Sequence, residues 1–160
     1  MASHPYHGKV RIRVNGLLMK DDAVLLVQMH SPVTGELIWT PPGGGLKFGG
    51  TLKAGLRREF LEETGLEVGV NSLKFINELV EPPFHAVEFY FSVSLTGGIL
   101  KLGSDPEHQP DEQYLRDVQW IGLDKIDQVN LAPSGLADLL AGEQDNSQAF
   151  NLYASFYRNS

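Results

Sequence analysis

GGLKFGGTLKAGLRREFLEETGL, running from Gly44 to Leu66, is the stretch on which the rest of the chain turns. Its second half reads as an amphipathic helix. Thr51 has the side chain of an N-cap, and Leu52, Leu56 and Phe60 recur at four-residue spacing. On such a helix Glu59, Glu62 and Glu63 stand at i, i+3 and i+4, which gathers three carboxylates on one face. Like charges at this spacing destabilise an isolated helix by roughly 0.2–0.5 kcal/mol per pair, so something must offset the repulsion. A hard divalent cation does so, because Mg2+ prefers oxygen ligands and bridges carboxylates to substrate phosphates. The alternative, a solvated acidic face, accounts for any single Glu pair. It does not account for the glycine loop ahead of the helix or the Thr64-Gly65 stop behind it.

The loop itself separates this pattern from other phosphate binders. Pro41-Pro42 sets an extended approach, and Gly43-Gly44-Gly45 lets the backbone turn tightly and come close to a ligand. A P-loop requires Gly-Lys-Ser/Thr, and Gly49-Gly50-Thr51 lacks the lysine. No frame here places glycines at the first, third and sixth positions of a dinucleotide fingerprint. The loop instead leads straight into the carboxylate-faced helix and can present carbonyls to the same cation.

Together these residues resemble the Nudix box, whose pattern is Gly, five residues, Glu, seven residues, then Arg-Glu-apolar-any-Glu-Glu-any-Gly-apolar. Gly44 matches the opening glycine, and Arg58 to Leu66 match the whole closing part, with Phe60 and Leu66 at the apolar positions. One position departs: the pattern's first Glu falls on Gly50. The resemblance implies an α/β fold, an α/β/α sandwich with a mixed sheet, over about residues 9–141. It also implies a metal-dependent hydrolase of phosphoric anhydride bonds, using Mg2+ or Mn2+. Glu59, Glu62 and Glu63 look like the metal-binding carboxylates, the carbonyl of Gly43 like the backbone ligand, and Arg58 like the residue that orients the helix carboxylates. Loss of the acid at Gly50 bears on the groups around that network more than on the ligands themselves.

A mechanism follows from these ligand types. Water must attack a phosphorus whose own charge repels nucleophiles. Metal ions neutralise that charge and acidify the water, while a carboxylate accepts the proton. Glu62 is the first choice for a ligand that also touches the nucleophilic water. Many Nudix proteins add an acid from a distant loop, and Asp105, Glu107, Asp111 and Glu112 lie in one such loop. Glu112 is the preferred candidate, against the plainer reading of solvated loop charges.

Composition bounds the answer. At 160 residues, 42% hydrophobic and 21% charged, the chain is expected to form one globular domain over 1–160, with a tail from 142 to 160. A net charge of −7 and a pI near 5.1 argue against a nucleic-acid polymer as partner, since phosphate backbones need a basic face. A small nucleotide remains compatible when metal ions supply the positive charge. Without cysteine there is neither a disulfide framework nor a zinc–thiolate site, which fits a reducing cytoplasm. The start MASHPYHGKV has no apolar signal region, and no run reaches the length of a membrane span, so no membrane association is expected.

Outward from the box, Val10, Ile12 and Val14 alternate with Arg11, Arg13 and Asn15 as in a half-exposed strand. Strands are expected at 23–27 and 37–39, one or two between 66 and 79, a long one at 85–95 turned by Gly97-Gly98, and one at 117–123. Ser134 opens a short helix that includes Leu136, Leu139 and Leu140. In the tail, Phe150, Tyr153 and Tyr157 lie on one helical stripe that packs on the domain or, alternatively, makes a homodimer contact.

Substrate choice rests on less. Pro82 stands sixteen residues beyond Leu66, and similarly placed prolines occur in Nudix proteins that act on ADP-ribose, although Pro82-Pro83 also reads as a plain turn. ADP-ribose is the first expectation. The alternatives are a nucleoside triphosphate, including oxidised forms, and a nucleotide-binding module that has lost turnover. Trp39, Phe48, Phe84 and His85 are candidates for base stacking, weighed against ordinary core roles. His30, His85 and His108 lack metal-ligand spacing.

Overall fold

Strand β1 (Val10–Lys20) organises the molecule, because its two ends belong to different partners. The structure is a computed structural model that describes residues 4–104, 114–142 and 153–157. Along most of its length β1 runs parallel to β6 (Phe84–Gly98), from Val10 opposite His85 to Leu18 opposite Val93. Its last residues, Met19 and Lys20, pair instead with β2 (Ala23–His30) across a turn at Asp21-Asp22, where Asp21 takes φ 53°. Strand β2 continues the sheet to β3 (Leu37–Thr40) on one side and to β7 (Leu115–Gly122) on the other. The short strand β4 (Gly43–Gly45) pairs antiparallel with Arg13–Asn15 of β1.

Strand β5 (Leu66–Glu81) is a single 16-residue strand with register shifts, folded against β6 about the Pro82-Pro83 turn. Among the described residues the strand order is β3-β2-β1-β6-β5-β8, where β8 spans Tyr153–Tyr157, with both parallel and antiparallel pairs. The expected mixed sheet is therefore present, and none of the described helices is long and apolar enough to cross a membrane.

Two expectations are corrected. Gly97 and Gly98 do not turn the chain away from β6. They stay in it and pair with Glu67 and Leu66, because the glycine backbone accommodates the φ of 85° at Gly98 without leaving the ladder. The tail is not helical where it is described: β8 (Tyr153–Tyr157) runs parallel to β5, Ile76 opposite Tyr153 to Val80 opposite Tyr157. An aromatic spacing of three to four residues fits a helix stripe, but the aromatic-rich segment finds an unpaired sheet edge, and ladder hydrogen bonds decide.

The sheet buries both faces. Helix α1 (Leu52–Thr64) lays Leu56 and Phe60 on Val14, Leu18 and Leu25. On the other side α2 (Leu136–Gly142) lays Leu136 and Leu140 on Leu17, Val24, Leu26 and Tyr90. Alternating residues of β1 and β2 thus feed opposite cores, as the two-residue period of a strand requires. Tyr90 stacks on Phe75 with ring centroids 4.3 Å apart, and burial pushes its phenol well above its usual pKa, so it stays neutral.

The ends of α1 are set by local chemistry. The Thr51 hydroxyl accepts from Ala54 N–H at 3.2 Å. Gly65, at φ 73°, closes the helix by donating its N–H to Leu61 O at 2.9 Å. A side chain at Gly65 would also meet the carbonyl of Ile99, so both backbone conformation and space reserve that position for glycine.

Candidate active site

The carboxylates of α1 meet the glycine strand rather than open water. The Gly43 N–H donates to Glu63 Oε2 at 3.2 Å, which ties the start of the glycine run to the last turn of the helix. Glu59 lies against Gly44: a Cβ built there would stand 2.5 Å from its Cδ. Arg58 is turned to the same helix face, with Nη2 3.0 Å from Glu59 Oε1 and Nη1 3.8 Å from Glu62 Oε1. Arg58 therefore offsets part of the repulsion among the acids.

Glu59 and Glu63 line a cavity of about 600 Å³ whose floor is the glycine run. Glu62 does not line it; its carboxylate stays beside Arg58 with a side-chain exposure of 27%. The three acids thus divide, two toward the cavity and one toward the arginine, and among the described residues no three acid or imidazole side chains close into one metal-holding cluster. The donor chemistry of Glu59 and Glu63 still suits a hard cation, being oxygen alone. Glu62 joins them only by leaving Arg58. Glu112 and its neighbours Asp105, Glu107 and Asp111 lie outside the described residues.

Lys9, Arg11, Arg13 and Lys47 line the same cavity, and composition gave no hint of them in a chain of net charge −7. The alternation along β1 marked Arg11 and Arg13 only as polar strand residues. That they overlook the glycine run follows from the β1–β4 pairing, in which Arg13 is opposite Gly45. Arg13 is also 3.4 Å from Glu88 Oε2. A second cavity of about 300 Å³ adjoins the first and shares Tyr6, Arg11 and Arg13 with it; Phe84 and His85 also line it. Of the four aromatic candidates, those two face this second cavity, Phe48 is fully exposed beside the first, and Trp39 packs against the core around α2. His85 Nε2 lies 3.0 Å from Glu78 Oε1.

Neighbouring glycines fail differently when given a side chain. At Gly43 a Cβ meets the Val14 carbonyl and the backbone of Asn15, which cannot yield without separating β4 from β1. At Gly44 it meets only the far end of Glu59, a flexible group. Gly44→Ala is accordingly expected to cost less than about 1 kcal/mol in urea unfolding, while displacing the Glu59 carboxylate and lowering kcat about tenfold or more. A loss of stability with kcat intact would mean that the Gly44–Glu59 contact serves packing alone.

Gly50 has no positive φ, and a Cβ there comes no nearer than 3.3 Å, to Lys47 O. A side chain there needs the Lys47 carbonyl to shift by only a few tenths of an ångström, so Gly50→Glu is expected to fold and to change kcat by less than about tenfold. Hydrolysis that appears only in the Gly50→Glu protein would identify the natural chain as a binding module.

Known proteins share this fold. An ADP-ribose pyrophosphatase of Methanocaldococcus jannaschii is 33% identical over 97 residues, 59% of this chain and 56% of that protein. The match thus spans little more than half the length of that curated relative. A NUDIX hydrolase structure from Nitrosomonas europaea superposes with a TM-score of 0.68 at 20% identity, covering 89% of this chain and 94% of that one. An ADP-ribose pyrophosphatase structure from Streptococcus suis does so with a TM-score of 0.63 at 19% identity, covering 89% and 97%. The NUDIX domain profile itself matches residues 9–141, and on that match the chain belongs to the NUDIX domain family.

Proposed function

We propose that the protein hydrolyses the pyrophosphate bond of a nucleoside diphosphate derivative, with ADP-ribose as substrate and AMP and ribose 5-phosphate as products. The observation that carries this is the first cavity, where Glu59 and Glu63 share one space with Lys9, Arg11, Arg13 and Lys47. Cations hold a bridging diphosphate, and carboxylates at one end serve its reacting phosphorus. Glu59, Glu62 and Glu63 with the Gly43 carbonyl would hold Mg2+ or Mn2+, which when bound neutralises the linkage and acidifies an attacking water. Arg58 holds Glu59 in place, Glu62 would reach the cation by releasing Arg58, and the bare glycine backbone lets the phosphates approach closely.

The substrate assignment draws on the name of the Methanocaldococcus jannaschii relative and on Pro82, which follows Glu81 of the second cavity in the chain. With a net charge of −7 over the whole chain, affinity comes from the bound phosphates and the nucleoside, so DNA and RNA should not compete. Steady-state kcat/KM for ADP-ribose against nucleoside triphosphates, in Mg2+, tests the choice. ADP-ribose should lead; a clear preference for triphosphates makes Pro82 a turn residue only.

A further inference from the structure

Tyr6 precedes the residues that the family profile matches, yet it lines both cavities. Its ring lies under Arg11, with the guanidinium carbon 3.5 Å from the ring centroid. The same guanidinium reaches the glycine run through Nη2, which would stand 3.0 Å from a Cβ built on Gly45. Arg11 is therefore fixed at the junction of the cavities, between an aromatic face and the glycine backbone beside the carboxylates. The neighbouring Arg13 is committed differently, to Glu88.

The segment that delivers Tyr6 is anchored. Tyr6 N–H donates to His4 Nδ1 at 3.3 Å, and Gly8 N–H donates to the Pro83 carbonyl at 3.1 Å. The rings of His4 and His7 meet Phe84 edge-on at 5.4 and 5.2 Å. The Pro82-Pro83 turn thus holds the N-terminal segment against the cleft.

We propose that Tyr6 is a positioning residue that holds Arg11 as the phosphate-recognising side chain where the two cavities meet. This rests on the pyrophosphate reading above. Stacking uses the face of a guanidinium, whereas a phosphate is bound along its edge, so one side chain makes both contacts at once. The stack removes rotamer freedom from a long side chain before the ligand arrives, and that ordering otherwise weakens binding. Lysine cannot replace it, because an ammonium neither lies flat on the ring nor binds two oxygens in a plane.

Calorimetric titration with α,β-methylene-ADP in Mg2+ tests this without turnover, since its phosphates cannot be cleaved at the bridge. Beside it, kcat and KM are measured on the best nucleotide substrate. Arg11→Lys should raise Kd about tenfold and Tyr6→Leu about fivefold, with KM rising by similar factors and kcat changing less. Tyr6→Phe, which keeps the ring face, should stay within about twofold of wild type. The decisive protein is the double variant Tyr6→Leu/Arg11→Lys, which should bind no more weakly than Arg11→Lys alone, because Tyr6 acts through Arg11.

Multiplying losses in the double variant, failure of Tyr6→Phe to rescue, or equal Kd in all proteins overturns the proposal. Equal Kd alongside active wild-type hydrolysis leaves the pyrophosphatase reading standing. The expected pattern in a wild type that cleaves nothing overturns that reading and leaves the Tyr6–Arg11 pair. A wild type that does not bind the probe overturns both.

Discussion

Glu62→Gln should lower kcat by at least about a hundredfold in Mg2+, roughly 2.7 kcal/mol of transition-state stabilisation. The substitution keeps size and shape and removes one negative charge from a group assigned to the metal and its nucleophilic water. Stability should hardly move. Relieving the i,i+3 repulsion with Glu59 gains roughly 0.2–0.5 kcal/mol, and losing the i,i+4 contact with Arg58 costs about as much. An unchanged Tm with collapsed turnover separates chemistry from folding. Turnover near that of the wild type would remove Glu62 from the mechanism and leave Glu59 and Glu63, the two that line the cavity, to carry it.

Phe60→Ala should be the most damaging core change, at about 3–5 kcal/mol. The ring is fully buried between α1 and the sheet, in the cluster that includes Val14, Leu18, Leu56 and Val93. Gly16 of β1 exists in its present form to admit it: a Cβ there would stand 2.7 Å from the ring. Native domains have only about 5–15 kcal/mol to lose, so this change approaches global unfolding. In urea it should shift the midpoint by more than about 1 M with little change in slope. Because Phe60 is one residue from Glu59, activity should fall along with stability. A cost below about 1 kcal/mol would show that α1 is held chiefly by its caps and by Glu63 on Gly43.

The helix was legible to the residue because its limits are local: Thr51 and Gly65 end it by bonds made within one turn. Strands β1, β2 and β6 were legible from alternation or from continuous apolar runs. Partners were not, since nothing in β1 itself announces a parallel neighbour more than seventy residues later, His85 opposite Val10. That pairing, with the antiparallel contact to β4, is what aims Arg11 and Arg13 at the glycine run, so half of the candidate site was invisible. The acids were read as one group because helical spacing places them on one face. Spacing does not show which neighbour each will take, and Arg58 draws Glu62 aside. The β8 segment misled because residues spaced by three and four also occur in strands, where pairing with a free edge outweighs the local pattern.

The most direct measurement is chromatographic analysis of a nucleotide panel incubated with the protein, with Mg2+ and with EDTA. Metal-dependent conversion of ADP-ribose to AMP and ribose 5-phosphate, abolished by EDTA and by Glu62→Gln, is the predicted result. Nucleotides that bind the protein tightly yet emerge uncleaved throughout the panel would contradict it, and would make the glycine run and its acidic helix a nucleotide-binding site without hydrolysis.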